Sequence, residues 1–255
     1  MSDLIRLESV NKRYANGTLA LQGLTLAIRE REFVSFLGPS GCGKSTALRM
    51  IAGLVSVTGG RIDWPQTPTG TDHANELGFV FQEPTLMPWA PVFENVWLPL
   101  KLKGCSRAQA RAQVDAALAN VGLSDFAHVY PRELSGGMKM RVSIARAMVT
   151  RPKLLLMDEP FAALDEMTRF KLNNDTLKVW QASGCTTIFV THSVYESVYL
   201  SSRIVVMGAR PGRVIADIPI DEPYPRSDAL RNTARYSQWC IDVTRALHGA
   251  GAAAA

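Results

Sequence analysis

The stretch Gly38-Pro39-Ser40-Gly41-Cys42-Gly43-Lys44-Ser45-Thr46 constrains this chain more than any other. It satisfies the spacing G-x-x-x-x-G-K-[ST] at every fixed position. Before it runs Glu32-Phe33-Val34-Ser35-Phe36-Leu37, a β-branched and aromatic run expected of a buried strand. After it comes Ala47-Leu48-Arg49-Met50-Ile51-Ala52, a helix-forming run closed by Gly53. Strand, glycine loop and helix start thus stand in the order the motif needs. Glycines at 38, 41 and 43 let the backbone turn its N–H groups inward, and the helix N-terminus adds partial positive charge. Lys44 is placed to reach the β- and γ-phosphates of a nucleotide, and the Ser45 hydroxyl to ligate Mg²⁺. A glycine-rich turn without a ligand is the competing reading, and the flanks disfavour it. The stretch points to a nucleoside triphosphate.

With 255 residues there is room for one large α/β domain or two small ones. An apolar share of 47% and a charged share of 20% suit a soluble globular chain. No apolar run reaches the ~18 residues of a membrane span. The first residues, Met1-Ser2-Asp3-Leu4-Ile5-Arg6, lack the basic start and apolar core of a signal peptide. Cysteines 42, 105, 185 and 240 are scattered without metal-ligand spacing, and the one inside the loop suits a reducing compartment. A cytoplasmic location is expected. The net charge of +5 is mild and reads as a slightly basic solvated surface, with no nucleic-acid partner.

Along the chain, residues 4–10 alternate as a half-exposed strand and residues 19–28 offer another around a break at Gly23. Tyr14, between them, is either an edge aromatic or a stacking face for a base. Residues 61–64 are a further strand, and residues 65–76 a surface loop. Leu77-Gly78-Phe79-Val80-Phe81 reads as a buried strand delivering Gln82. Prolines 84, 88 and 91 keep the next segment extended while it displays Leu86, Met87 and Trp89. These three either pack back on their own chain or meet a partner. Ser106-Arg107-Ala108-Gln109 resembles a capping box opening a helix to about Asn120, with Gly122 as its stop.

Ser135 is a helix cap, and Gly136 and Gly137 leave backbone N–H groups open to an anion, although a plain cap explains this run equally well. Lys153-Leu154-Leu155-Leu156-Met157-Asp158-Glu159 is stronger: a buried strand ends abruptly in two carboxylates. Burying them unpaired is costly, so a cation or proton-transfer role is the economical account. Residues 186–190 form a strand with Thr191 and His192 at its end, and Ser193 starts a helix. Residues 203–207 and 214–218 are late strands around Arg210-Pro211-Gly212, and the low-complexity tail from Gly249 is expected to fray.

With these residues in view, the chain resembles the nucleotide-binding subunit of an ABC transporter over roughly residues 4–220. Tyr14 is similar to the adenine-stacking aromatic, residues 38–45 to the Walker A loop, and Gln82 to the Q-loop. Leu134-Ser135-Gly136-Gly137 resembles the family signature, residues 154–158 the Walker B strand, and Glu159 the catalytic glutamate. Ala163-Leu164-Asp165 resembles the D-loop, and His192 the switch histidine. The resemblance implies an α/β fold: a P-loop NTPase (RecA-like) core, an antiparallel β subdomain and a helical signature-motif subdomain. It implies an ABC domain over 1–240 with the helical part at roughly 90–150, and a disordered tail over 241–255. It further implies ATP and Mg²⁺ as cofactors. Ser45, Gln82 and Asp158 would surround the metal, Asp158 through a water. Lys44 and the loop amides would neutralise phosphate, Glu159 would polarise the attacking water, and His192 would hold the γ-phosphate. Ser135, Gly136 and Gly137 would face the nucleotide of a second copy, giving an ATP-sandwich dimer.

One departure stands out. Met138 occupies the place of the usual signature glutamine, followed by Lys139-Met140-Arg141. This resembles the branch importing nitrate, aliphatic sulfonates and taurine, as do Phe161-Ala162-Ala163-Leu164-Asp165 and residues 208–213. The implied partners are transmembrane permease subunits and, indirectly, a solute-binding protein, with the chain on the inner face of the cell membrane. Rival readings are the same ATPase serving another cargo such as a pyrimidine precursor, a soluble ABC ATPase outside transport, and a nucleotide-binding regulator without turnover. Intact Glu159 and His192 disfavour the last.

Overall fold

The computed structural model describes residues 2–66, 73–209 and 211–252. In chain order its first elements are β1 (Asp3–Arg13), β2 (Leu19–Arg29), β3 (Phe33–Leu37), α1 (Lys44–Ile51), β4 (Gly59–Asp63) and β5 (Leu77–Val80). Then come α2 (Val92–Leu102), α3 (Arg107–Asn120), α4 (Gly136–Met148), β6 (Leu154–Asp158) and α5 (Glu166–Ser183). The last are β7 (Thr186–Thr191), α6 (Val194–Leu200), β8 (Arg203–Gly208), β9 (Arg213–Pro219) and α7 (Ala234–Ala252). They divide into two compact units, residues 1–74 with 186–255, and residues 75–185.

The first unit holds two sheets. β1 pairs antiparallel with β2 on one side and β4 on the other. Leu4, Ile5, Leu7 and Val10 are buried while Arg6 and Ser9 are exposed, the half-exposed strand expected from the alternation. In the other sheet β3 lies between β7 and β8, parallel to both, and β9 closes it antiparallel against β8. Every residue of β3 and β7 is buried, as the continuous apolar runs require of strands covered on both faces. Phe33 and Phe189 meet at 6.1 Å between ring centroids, with Leu48, Val198 and Tyr199 among the buried side chains of α1 and α6. Ser35, polar in this core, is hydrogen-bonded to the Ser201 hydroxyl.

In the second unit β5 pairs parallel with β6, and α2, α3 and α4 fall within 92–148. The box at Ser106 is formed: its hydroxyl accepts from Gln109 N, and Gln109 Oε1 accepts from Ser106 N at 2.9 Å. Ala110, Val114, Ala117 and Leu118 are the buried face of α3. Arg141 of α4 pairs with Asp175 of α5.

Two expectations are corrected. β5 is half-buried rather than buried: Leu77 and Phe79 are only partly covered, and Phe81 stacks on Phe79 at 4.3 Å in an exposed position. The tail is not disordered from residue 241, because α7 runs on to Ala252. Val243 and Cys240 anchor this helix in the core. Ser135 caps its helix as expected, α4 beginning at Gly136. Residues 67–72 of the expected loop, Arg210 of the expected turn and residues 253–255 lie outside the described residues.

Candidate nucleotide site

In the first unit β3 runs straight into the glycine loop, and α1 begins at Lys44. Gly43 is the N-cap at φ 91°, with no side chain capping the helix. A Cβ on Gly43 would stand 2.7 Å from Leu21 Cδ2, and one on Gly38 would run into the Met207 carbonyl and, at 2.7 Å, the Cys42 sulfur. Glycine is therefore required at both positions by space, and at Gly43 by backbone angle as well. Pro39, Ser40 and Gly41 form the exposed crest. Cys42 lies buried beneath it, where burial pushes its thiol pKa up and keeps it neutral. Lys44 is 4% exposed, and its Nζ donates to the Gly38 carbonyl at 2.8 Å and the Pro39 carbonyl at 3.1 Å. The ammonium is thus curled inside the loop, where a charged donor serves an anion resting on the crest.

Two further residues meet this loop. The Tyr14 hydroxyl is 3.3 Å from the Thr46 hydroxyl, which brings the β1–β2 turn against the first turn of α1. Lys12 Nζ lies 5.3 Å from the centre of the Tyr14 ring. His192 follows β7, and the register Leu37↔Thr191 sets it level with Gly38 at the carboxyl edge of the parallel strands. That edge is where ligands of open parallel sheets bind. The imidazole-bearing residue is exposed, while Thr191 before it is buried.

The second unit brings other residues together. The register Val80↔Met157 sends β5 and β6 out side by side, so Gln82 and the pair Asp158, Glu159 leave at one edge. Asp158 is buried and Glu159 half-buried. Glu159 has φ 46°, a left-handed conformation that costs a non-glycine residue about 1–2 kcal/mol. Strain of this kind gathers where a side chain must be aimed. Ser135 caps α4, its hydroxyl accepting from Met138 N at 3.3 Å. Gly136 is exposed, whereas a Cβ on Gly137 would meet Thr168 Cγ2 at 2.8 Å. Asp165 caps α5 by accepting from Thr168 N at 2.9 Å, and hydrogen bonding from the Thr168 side chain, then from its backbone N–H, holds the carboxyl pKa below the ordinary value.

The segment after Gln82 is non-helical through Pro91, as its prolines require. Trp89 is 76% exposed, while Leu86 and Met87 are half-buried. Asn95 accepts from Met87 N at 2.7 Å, and Arg146 of α4 donates to the Pro84 and Thr85 carbonyls, each at 2.8 Å. Nothing in the sequence pattern marked Arg146, Asn95 or the Tyr14–Thr46 contact. Their partners are reached only in three dimensions.

The family model described as ABC transporter matches residues 21–162, more than half of the chain. The chain belongs to the ABC transporter family. This ABC cassette is 47% identical to a putative ATP-binding protein of Brucella abortus, over 93% of its own length and 90% of the relative's. It is 44% identical to the taurine import ATP-binding protein of Rhizobium johnstonii, with coverage of 82% and 79%. It is 40% identical to the nitrate import ATP-binding protein of a Synechocystis strain, with coverage of 98% and 94%. Among solved structures, a dimeric ATP-binding cassette in a post-hydrolysis state with ADP and Pi is similar at TM-score 0.75 and 34% identity, covering 86% and 100% of the two chains. The ABC cassette is accordingly an ATP-hydrolysing importer-type subunit with the P-loop NTPase fold. Among the described residues no helix is long and apolar enough to cross a membrane.

Proposed function

We propose that this chain drives uptake of a small solute of the nitrate, aliphatic sulfonate or taurine type, working as a pair of identical copies. The observation that carries the cargo class is the 40–44% identity to nitrate and taurine import subunits over most of the chain. Met138 in the signature, with Arg141 three residues on, supports the same branch. The pair would dock on transmembrane permease subunits at the inner face of the membrane and answer indirectly to a solute-binding protein. Nucleic acid has no part in it.

In this reading Lys44 and the amides of residues 38–46 hold the phosphates, and Tyr14 stacks on adenine. Among the described residues no cluster of three His, Cys, Asp or Glu forms a metal cage. The donors available at Ser45, Gln82 and Asp158 are hydroxyl, amide and carboxylate oxygens. This hard-oxygen set fits Mg²⁺, which keeps waters and phosphate oxygens among its ligands. When bound, the ion neutralises phosphate charge. Glu159 takes a proton from the water that attacks the γ-phosphorus, the bond to the ADP oxygen breaks, and His192 holds the γ-phosphate in line. Ser135, Gly136 and Gly137 of one copy face the nucleotide of the other. Helices α2 to α4 form the moving helical subdomain.

Loss of this subunit in its host should abolish growth on one solute of the class as sole nitrogen or sulfur source, and expression in trans should restore it. Normal uptake of all three solutes, with loss of a pyrimidine precursor instead, would move the cargo. Base stacking is tested separately. Tyr14→Ala should weaken ATP binding by about 1–3 kcal/mol, whereas Tyr14→Phe and Tyr14→Trp, which keep a stacking face, should be mild. Equal loss in all three assigns Tyr14 to folding.

Trp89 stands exposed on a segment fixed by Asn95 and Arg146, where a monomer gains nothing from showing it. We assign it to the wall that receives a cytoplasmic helix of the permease. Trp89→Ala should cost at least ~2 kcal/mol of docking and stop transport while basal hydrolysis persists. Transport at the normal rate in that variant would remove the segment from coupling.

A further inference from the structure

We propose that Glu196 is a positioning residue for hydrolysis, holding His192 in place through the Thr191 hydroxyl without touching the nucleotide. The inference rests on the role given to His192 above.

The connection from β7 to α6 is two residues, His192 and Ser193, so the aim of the imidazole is set by how strand end and helix start are joined. Ser193 and Glu196 have the S-x-x-E spacing of a capping box. In an ordinary box the acidic or amide side chain reaches back to the N–H of the capping residue, as Gln109 does to Ser106 N at 2.9 Å in this protein. At α6 the arrangement differs. Ser193 Oγ accepts from Glu196 N at 3.3 Å, but the Ser193 N–H is bonded to Thr191 Oγ1 at 3.0 Å. The Thr191 hydroxyl in turn donates to Glu196 Oε2 at 2.6 Å. The carboxylate therefore skips the capping residue and grips the last residue of the strand.

This closes a ring of hydrogen bonds around His192. Thr191 is 3% and Glu196 7% exposed, so the tie lies in the core while the residue it brackets is exposed. At 2.6 Å the bond is short, and burial shields it from water, which strengthens a hydrogen bond electrostatically. A plain cap would need none of this: Ser193 alone satisfies the helix start, and a carboxylate is costly to bury. What the detour adds is a fixed angle between β7 and α6, hence a fixed position for residue 192. Misplacing a catalytic group by about an ångström can cost 10²-fold in rate.

The test compares steady-state ATPase kinetics of the full-length chain. Glu196→Ala and Thr191→Val should lower kcat about 10- to 100-fold with the KM for ATP held within about twofold. Glu196→Gln and Thr191→Ser keep an acceptor and a hydroxyl, so each should stay within about threefold of wild type. The deciding measurement is a cycle with His192→Ala: adding Glu196→Ala to it should cost less than about twofold more. A full extra loss in that background, or a Gln variant as poor as the Ala variant, overturns the proposal. So does normal turnover in Glu196→Ala when His192→Ala is crippled, and that result leaves the role of His192 standing. Normal turnover in His192→Ala would remove that role itself and the proposal with it. Should Glu196→Ala fail to fold, the Thr191→Val and Thr191→Ser pair decides the matter in the same cycle.

Discussion

Glu159→Gln is expected to bind ATP with near-normal affinity and to turn it over 10²- to 10⁴-fold more slowly, the range that loss of a general base typically costs. The substitution preserves size, shape and hydrogen-bond acceptance, and removes only the ability to take a proton. Affinity should survive because the phosphates are held by other groups, the loop amides and Lys44. The left-handed backbone at residue 159, φ 46°, is a cost the fold already bears and the variant inherits. A slow ATPase that still closes on its nucleotide should accumulate as a dimer when ATP is added. Phosphate release and size-exclusion chromatography with and without ATP measure both halves. Turnover within about twofold of wild type would take Glu159 out of the mechanism.

Much of this site was legible because its residues lie in short runs whose order is fixed by the chain. A buried strand that runs up to a polar or glycine residue reveals both the strand and the edge it reaches, and Leu37, Asp158 and Thr191 each end one. Ser106 with Gln109 gave the start of α3 for the same local reason. Helix α2 was not legible: it follows Pro91, carries Pro99 inside, and so resembles the extended segment before it. Helix α5 was missed because its buried face mixes Asn173 and Thr176 with Leu172, Leu177 and Val179, which blurs the apolar stripe. Contacts between residues distant in sequence left no trace at all. Arg146 reaches carbonyls some 60 positions earlier, and its guanidinium pKa is pushed down by burial, yet neither fact has a period or spacing. The tail misled because its low-complexity end suggested disorder, whereas Cys240 and Val243 upstream are buried and α7 runs through them to Ala252.

Lys44→Ala should fail one step earlier than Glu159→Gln, at binding. In the loop the ammonium donates to the Gly38 and Pro39 carbonyls at 2.8 and 3.1 Å. Both carbonyls belong to the loop itself, so the lysine is stored where its charge is wanted. A hydrogen bond to a charged group contributes about 1.5–3 kcal/mol, which corresponds to roughly 10- to 150-fold in Kd for a single lost phosphate contact. Alanine keeps the helix start and the glycines on either side, so the loop should still form. Thermal stabilisation by ligand gives an independent reading. At ATP equal to 100 times the wild-type Kd, binding stabilises the folded state by about 2.7 kcal/mol, and a 100-fold weaker variant would retain only about 0.4 kcal/mol at that concentration. The variant's melting temperature should therefore hardly respond to ATP, while that of Glu159→Gln rises as wild type does. An ATP titration giving an unchanged Kd for Lys44→Ala would show that residues 38–46 are not where the phosphates bind.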